Sequence, residues 1–508
     1  MPDACIKFAA LFLILTPAIS FAKAATAASV ISYRVTLETD EKIPGSGSPG
    51  KLSALAVEIR LTGNSDGITR LHLPEEFAGQ TELWRQITSL TAEGTEISEV
   101  GPAVRVLRHK PDAPLVIRYR LVTAYPEEPK AEAGLPNRAL IRPTWFAVLG
   151  EVVFAVPEGR SRSPATFTWG AHPSTWVLVS DLDHQAPLTL ETLVESFLFG
   201  GTDVRVSKLE VAGGPVRLAM RGGWKFSDHD LADLLTRVVV AERQFWEDAN
   251  TAFFVPLVPL APLPEGTMHA GIGRGDAFVL YSTTNSALDG FRWELAHEHM
   301  HTWIPNQIGG LPVKDEALDY WFSEGFADFY AARVLLHSGI WSLEDFVAEE
   351  NEMLERYGNS PAPIPNMQIL KKFWTTDTVR QLAYDRGRML ATLWDYRLRH
   401  SAGHHTLNEV LKRQRVEAQE NQRNGQDATA AQSFIQVYEG IGGISLAEDV
   451  KRFVEEGQRT TLPPDLYGAC ARIENGGTDG KPSFQKVTLT PGMLESARTV
   501  CVKLMGNL

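Results

Sequence analysis

The chain has 508 residues, 44% of them hydrophobic and 22% charged, with a formal net charge of -13 at pH 7. That length exceeds what a single core supports, so two or three domains are the default. The acidic balance excludes the basic face that a nucleic-acid partner would require.

At the N-terminus, Lys7 precedes an apolar run from Phe8 to Ile19, which ends in the small-residue pattern Ala22-Lys23-Ala24. This is the layout of a cleaved signal peptide, because a retained anchor needs about 20 apolar residues. Residues 1–24 are therefore expected to be removed, leaving a secreted, periplasmic product with no membrane span.

From Val30 to Met220 the sequence alternates. Val57, Ile59 and Leu61 interleave with Glu58 and Arg60, and Leu115, Ile117, Tyr119 and Leu121 interleave with Arg118 and Arg120. Period two marks half-buried strands. Turn clusters at Pro44–Gly50, Thr62–Gly67 and Ala212–Pro215 separate them, so residues 25–222 read as an N-terminal antiparallel β-sandwich domain.

The period changes at Ser227, which with Asp230 forms a helix start of the capping-box kind. Leu231, Leu234, Leu235, Val238, Val239 and Phe245 then recur at helical spacing. Strand-like runs at Ala252–Leu260 and Asp276–Thr284 suggest a small sheet beside a mainly α-helical domain over residues 223–460. Helices are expected at roughly Ser286–Ile304, Glu316–Leu336 and Val379–His400, with a polar loop at Arg423–Gln432. The class is α+β multidomain. Residues 461–508 hold Cys470 and Cys501, an even pair in an oxidising compartment. A disulfide between them would contribute about 3–4 kcal/mol on the chain-entropy model; two buried free thiols are the alternative, since spacing does not establish pairing.

The stretch "WELAHEHMHTWIP", Trp293–Pro305, packs three histidines around one glutamate, Glu298, inside what otherwise reads as a buried helix. His297 and His301 stand four apart, which puts both rings on one helix face where they can grip one ion. The pattern H-E-x-x-H fits two zinc ligands with Glu298 as general base. His299 points off that face and reads as a packed histidine.

A third ligand is the test of so short a motif. Glu324, in "WFSEGFADFY" (Trp321–Tyr330), is a carboxylate among aromatic residues and needs a partner. With His297 and His301 it completes a three-ligand catalytic zinc site. Asp328 follows by four and could accept the outer ring N–H of a ligating histidine. Tyr384, in "LAYDRGRMLATLWDYRLR", is the candidate donor to a developing oxyanion. One catalytic Zn2+ and a peptide or protein substrate are thus expected.

These residues resemble the gluzincin metallopeptidases, and among them the glycyl-aminopeptidase family more than the aminopeptidase N family. "HEHMHTW" resembles H-E-x-x-H-x-W, "WFSEGFADFY" resembles W-x-x-E-G-x-x-x-Y-Y, "YDRGRMLATLWDYRLR" resembles the segment that carries the transition-state tyrosine, and "FVEEGQRTTLPPDLYG" is similar to the end of the catalytic region. The resemblance runs from Trp224 to Gly468 and implies a thermolysin-like catalytic domain with aminopeptidase activity. Three departures accompany it. Glu324 lies farther from His301 than the aminopeptidase N pattern has it. The family's usual PDZ domain has no counterpart in the residues after Gly468. In the substrate strand, Gly266-Thr267-Met268-His269 stands where the family carries Gly-x-x-Glu, so His269 replaces the glutamate that holds the substrate's amine. Endopeptidase action on the same frame, or a non-catalytic binding protein with a structural metal, remain the alternatives.

Overall fold

Alternating side chains give the first half its architecture. In Leu52–Thr62, Val57, Ile59 and Leu61 are buried while Ser53 and Arg60 face out, and they oppose Tyr119, Ile117 and Leu115 of the antiparallel strand Pro114–Val122. The computed structural model describes residues 30–40, 50–130, 136–183, 187–248, 252–274, 276–312, 314–423, 428–476 and 484–507. The expected signal peptide at 1–24, most of the Pro44–Gly50 turn and the middle of the Arg423–Gln432 loop lie outside these residues. No helix among the described residues is long and apolar enough to cross a membrane.

Among the described residues the β-rich half has three sheets. A six-stranded sheet runs in the order Leu188–Thr189, Pro164–Trp169, Ile31–Thr39, Leu52–Thr62, Pro114–Val122, Ile87–Ala92, and two four-stranded sheets accompany it. The expectation of a purely antiparallel arrangement is corrected here: Ile31–Thr39 and Pro164–Trp169 run parallel. They can do so because a long stretch of chain, with nine strands among its described residues, separates them, as a parallel crossover requires.

A five-stranded mixed sheet follows, in the order Arg205–Leu209, Val216–Met220, Phe253–Leu260, Ala277–Thr283, His269–Arg274. Its three central strands are buried along their whole length, because both faces are covered. Phe253, Val255, Leu257, Phe278 and Leu280 join the core of the helical half, whereas Phe254, Val258, Val279 and Tyr281 join the core of the β-rich half. The sheet is the wall shared by the two halves. Strands Arg205–Leu209 and Val216–Met220, which precede the boundary expected at residue 222, belong to it. Alternation carries no information about which sheet a strand joins.

Helices dominate thereafter. Ser227 and Asp230 form the capping box that starts helix Asp228–Trp246. The helix that carries H-E-x-x-H is shorter than expected, Phe291–Met300. His301 caps it, and Pro305 bars Ile304 from helical geometry. Helix Tyr320–His337 crosses helix Asp377–Arg399 with backbone against backbone. A Cβ on Gly325 would sit 2.4 Å from the Cα of Gly387, and one on Gly387 would sit 1.6 Å from the Trp321 carbonyl oxygen. Glycine inside a helix costs about 1 kcal/mol, and here it permits an approach no other residue allows.

Cys470 and Cys501 are disulfide-bonded. The last residues form a hairpin, Ala471–Gly476 with Phe484–Leu489, and helix Glu495–Met505. This segment is not a detached appendage: Ile473, Val487 and Met505 are part of the helical core, and Asn351 of helix Leu343–Asn359 bonds both the N–H and the carbonyl of Val487.

Candidate metal centre

The helix Phe291–Met300 and its cap bring His297, Glu298 and His301 to one place, and the glycine-mediated helix crossing brings Glu324 and Tyr384 to meet them. The His297 Nδ1 lies 2.8 Å from Asp328 Oδ1, and the His301 Nδ1 lies 2.8 Å from the Ile304 carbonyl oxygen. Both partners can only accept, so both Nδ1 atoms carry the ring hydrogen, and both Nε2 atoms present lone pairs. Those Nε2 atoms are 3.2 Å apart, and Glu324 Oε2 is 3.3 Å from one and 3.4 Å from the other. Among the described residues these three form the group of His, Cys, Asp and Glu whose ligand atoms converge within 4.8 Å.

Three electron-rich atoms facing one another in a buried place repel unless a cation lies between them. Two imidazoles and one carboxylate are a donor set suited to zinc, with a fourth position open. The residues present therefore fit the ion that the spacing predicts. The same crowding appears in their proton affinities. Burial pushes His297 down, but the carboxylates of Asp328 and Glu324 more than reverse this and raise it well above its ordinary value. Burial raises Glu324, and the two histidines overcome this and hold it well below the usual range. Burial raises the Glu298 carboxyl; the histidines pull it down, and Glu324 and Asp328 add to the rise.

Strand His269–Arg274 is the edge of the five-stranded sheet and runs directly past Glu298. A Cβ on Gly271 would sit 2.2 Å from Glu298 Oε1, and one on Gly273 would be 3.8 Å from Oε2 and 3.9 Å from the Cβ of His301. Glycine at 271 is what lets the carboxylate lie against the strand backbone. The expected substrate segment lies just before this contact. Gly266, Thr267 and Met268 precede the strand, Gly266 with a left-handed φ of 78°, and Met268 packs toward the β-rich core. His269 starts the strand, but its ring is held by Ser282 Oγ at 3.2 Å and lies edge-on to Phe291. Burial lowers its pKa, so the ring is neutral and brings no negative charge to pair with an ammonium group.

Tyr384 stacks on His297, with ring centroids 6.0 Å apart. Burial raises its pKa well above the ordinary value, so the phenol keeps its proton. Its hydroxyl has no hydrogen bond among the described residues and is free to donate. Arg388, one turn farther along the same helix, is fully buried, bonds Glu349 and Glu350 and lies over Trp293, which in turn stacks on His297.

His299 occupies the opposite face, as its spacing predicts. Its Nδ1 lies 2.6 Å from Glu242 Oε2, and Phe253 and Trp303 pack edge-on against the ring. The sequence reading missed Glu242, which arrives from helix Asp228–Trp246. It also missed Glu294, although the signal was there: 294 precedes 297, 298 and 301 by three, four and seven, so it shares their face. Burial and the like charge of Glu298 push its pKa up to about 7.

Neither a protein-family model nor a curated protein matches the chain. Solved structures do. The chain is similar to an aminopeptidase N family protein from Idiomarina loihiensis, with a TM-score of 0.69 at 15% identity over 89% of this chain and 81% of that one. It is similar also to the M1 zinc metallopeptidase from Deinococcus radiodurans, with a TM-score of 0.51 at 16% identity over 86% of this chain and 95% of the other. A variant of that metallopeptidase, bound to a Tyr-Ser-Ala substrate, gives 0.52 at 15% identity over 86% and 95%. Identities this low make the likeness one of fold, a β-rich part followed by a helical part.

Proposed function

We propose that this chain is a zinc-dependent metallopeptidase that acts as an aminopeptidase in the periplasm or outside the cell. The observation that carries the reading is the convergence of two Nε2 lone pairs and the Glu324 carboxylate beside a second, unliganded carboxylate, Glu298. His297, His301 and Glu324 would hold the ion. When bound, zinc lowers the pKa of water and polarises a carbonyl.

The protein's own groups do the rest. Asp328 fixes the His297 ring so that Nε2 stays unprotonated. Glu298, lodged under the strand at Gly271, takes the proton from the attacking water and returns it to the leaving amine. Tyr384 donates its hydroxyl hydrogen to the oxyanion as charge develops. The free edge of strand His269–Arg274 offers backbone N–H and C=O groups to an extended peptide.

Support for exopeptidase action is the fold shared with the aminopeptidase N family protein and the motif resemblance, on which a glycyl-type preference also rests. One observation favours endopeptidase action instead: the His269 ring is neutral and already engaged. Mass spectrometry of peptide digests decides, comparing free and N-acetylated versions of the same peptides with a chelated control. Shortening of free peptides alone supports the aminopeptidase; equal cleavage of blocked peptides establishes an endopeptidase. Glu298→Gln should lower kcat about 10²–10⁴-fold with metal content retained, and full activity in that variant would remove Glu298 as the base. If chelation melts the protein and no peptide is ever cut, the metal is a structural staple.

A further inference from the structure

The helix Phe291–Met300 carries four polar side chains at the metal centre: His297, Glu298 and His301, and Glu294, which feels the charges of Glu298, His297 and Asp328. Three have tasks in the proposed chemistry. Glu294 has none. Its carboxylate lies outside the group of ligand atoms that converge within 4.8 Å, so it is not a metal ligand. It is half-buried, and no hydrogen bond or ion pair engages it among the described residues. The charged groups that bear on it are Glu298 and Asp328, both of like sign, and His297, which is committed to Asp328 and Glu324. No lysine or arginine faces it: Arg292, two residues earlier, turns away to the Ile340 carbonyl and Asp345.

A desolvated carboxylate with no partner is costly. Replacing it with an apolar residue would cost less, and the neighbouring Leu295 and Ala296 show that the helix accepts them on its buried side. The arrangement becomes favourable when something positive arrives from outside. In the proposed chemistry the substrate is what arrives beside Glu298 and the ligand atoms, and a peptide's cationic groups are its terminal ammonium and the side chains of lysine and arginine. The net charge of -13 draws such substrates toward the protein as a whole.

We infer that Glu294 is a specificity-determining residue that receives a cationic nitrogen of the peptide next to the scissile bond. This inference rests on the peptidase reading above. Two sources of the cation share the chemistry, the free α-ammonium and a lysine or arginine side chain flanking the cleaved bond, and the test separates them.

Rates are measured for the metal-loaded full chain and for Glu294→Gln on one peptide series. Free and N-acetylated forms are crossed with lysine or arginine, against norleucine or citrulline, on either side of the cleaved bond. A charge-assisted hydrogen bond exchanged for a neutral one predicts a cation preference of about 10–100-fold in kcat/KM, which collapses toward unity in Glu294→Gln. Collapse confined to the free-versus-acetylated comparison identifies the ammonium; collapse confined to lysine and arginine identifies the side chain. An unchanged preference ratio in the variant overturns the inference. Metal content and the melting curve show whether the variant is folded, and Glu294→Met, similar in volume, stands in if it is not. If the unsubstituted protein cuts no peptide, the peptidase reading falls by itself. Calorimetric binding of L-argininamide against L-citrullinamide then still reads the carboxylate: equal affinities, or a preference that Glu294→Gln leaves intact, overturn the inference, and a preference that the variant loses upholds it.

Discussion

Two faces of one ten-residue helix treat histidine in opposite ways. On the outer face, His299 is buried with Glu242 at 2.6 Å and its pKa is pushed down to about 3, chiefly by burial, while the Glu242 carboxyl is raised well above its ordinary range. That pair shares one proton and is neutral. On the inner face, His297 and His301 each spend one nitrogen on a fixed acceptor and aim the other at its twin. One face joins its histidine to a carboxylate from another helix and the other turns two ring nitrogens toward each other and Glu324, which separates a group that holds the fold from groups that wait for a ligand. Substitutions should therefore divide cleanly: inner-face changes remove turnover and spare the fold, outer-face changes do the reverse.

The largest effect on turnover is expected from Glu324→Ala, which leaves two nitrogens to hold the ion. Activity should fall by roughly three orders of magnitude or more, on the scale of losing a group the chemistry depends on, with bound metal lost on dialysis. A variant that keeps both its metal and its rate would show that the third ligand lies elsewhere. Tyr384→Phe comes next. Loss of one oxyanion donor costs about 10²–10³ in kcat and should leave KM nearly unchanged; a change in KM alone would make Tyr384 a packing residue. Asp328→Asn is smaller. An amide can still meet the His297 ring but does not favour one tautomer as strongly, and metal affinity should drop about 10–100-fold, read by competition with a chelating dye.

The outer face supplies the inverse result. Glu242→Leu strands the His299 ring hydrogen in an apolar place, at a cost of about 1–3 kcal/mol seen in denaturant unfolding. Turnover per folded molecule should remain within about twofold. Glu242→Gln, which can still accept a hydrogen bond, should recover most of the stability. Equal losses of turnover from Glu242→Leu and Asp328→Asn would abolish the distinction between the faces.

How much of this was legible follows from what periodicity measures. Four-residue spacing put His297 with His301 and Glu324 with Asp328, because a helix compares a segment with itself. It also exposed Glu294, had the face been read one turn earlier. It could not supply Glu242, which comes from another helix 57 residues upstream of His299, nor the approach of Gly271 to Glu298, which depends on how a strand lies across a helix. The GTMHAG stretch was matched by type to the substrate segment, but the backbone that reaches Glu298 starts two residues beyond His269. The β-rich half was legible as a class, with alternation explicit at Val57–Leu61 and Leu115–Leu121. The assignment of Arg205–Leu209 and Val216–Met220 to a shared sheet was not, since alternation is the same whichever sheet a strand joins.

The smallest effect on turnover is expected farthest from the helix, at Asp181, where burial acts on a carboxyl with no base to share its proton. Asp181 accepts hydrogen bonds from the Phe197 N–H at 2.9 Å and the Ser180 hydroxyl at 3.2 Å. Burial, with the like charge of Asp276 adding to it, raises its pKa from 3.8 to about 7. A carboxyl raised in the folded state binds its proton more tightly there than in the unfolded chain. Its contribution to stability is full below about pH 3.8 and is lost as pH rises to about 7, a total on the order of 4 kcal/mol at most. Asp181→Asn, which keeps an acceptor for Phe197 and never ionises, should match the unsubstituted protein near pH 4 and exceed it in melting temperature by a margin that grows to pH 8. The Glu242–His299 pair should show no such drift, because its proton stays in place across that range. A melting gap between Asp181→Asn and the parent that does not change with pH would mean Asp181 is ionised in the fold, and that a cation, with Arg217 nearest at hand through Asp183 and the Ser180 carbonyl, supports it.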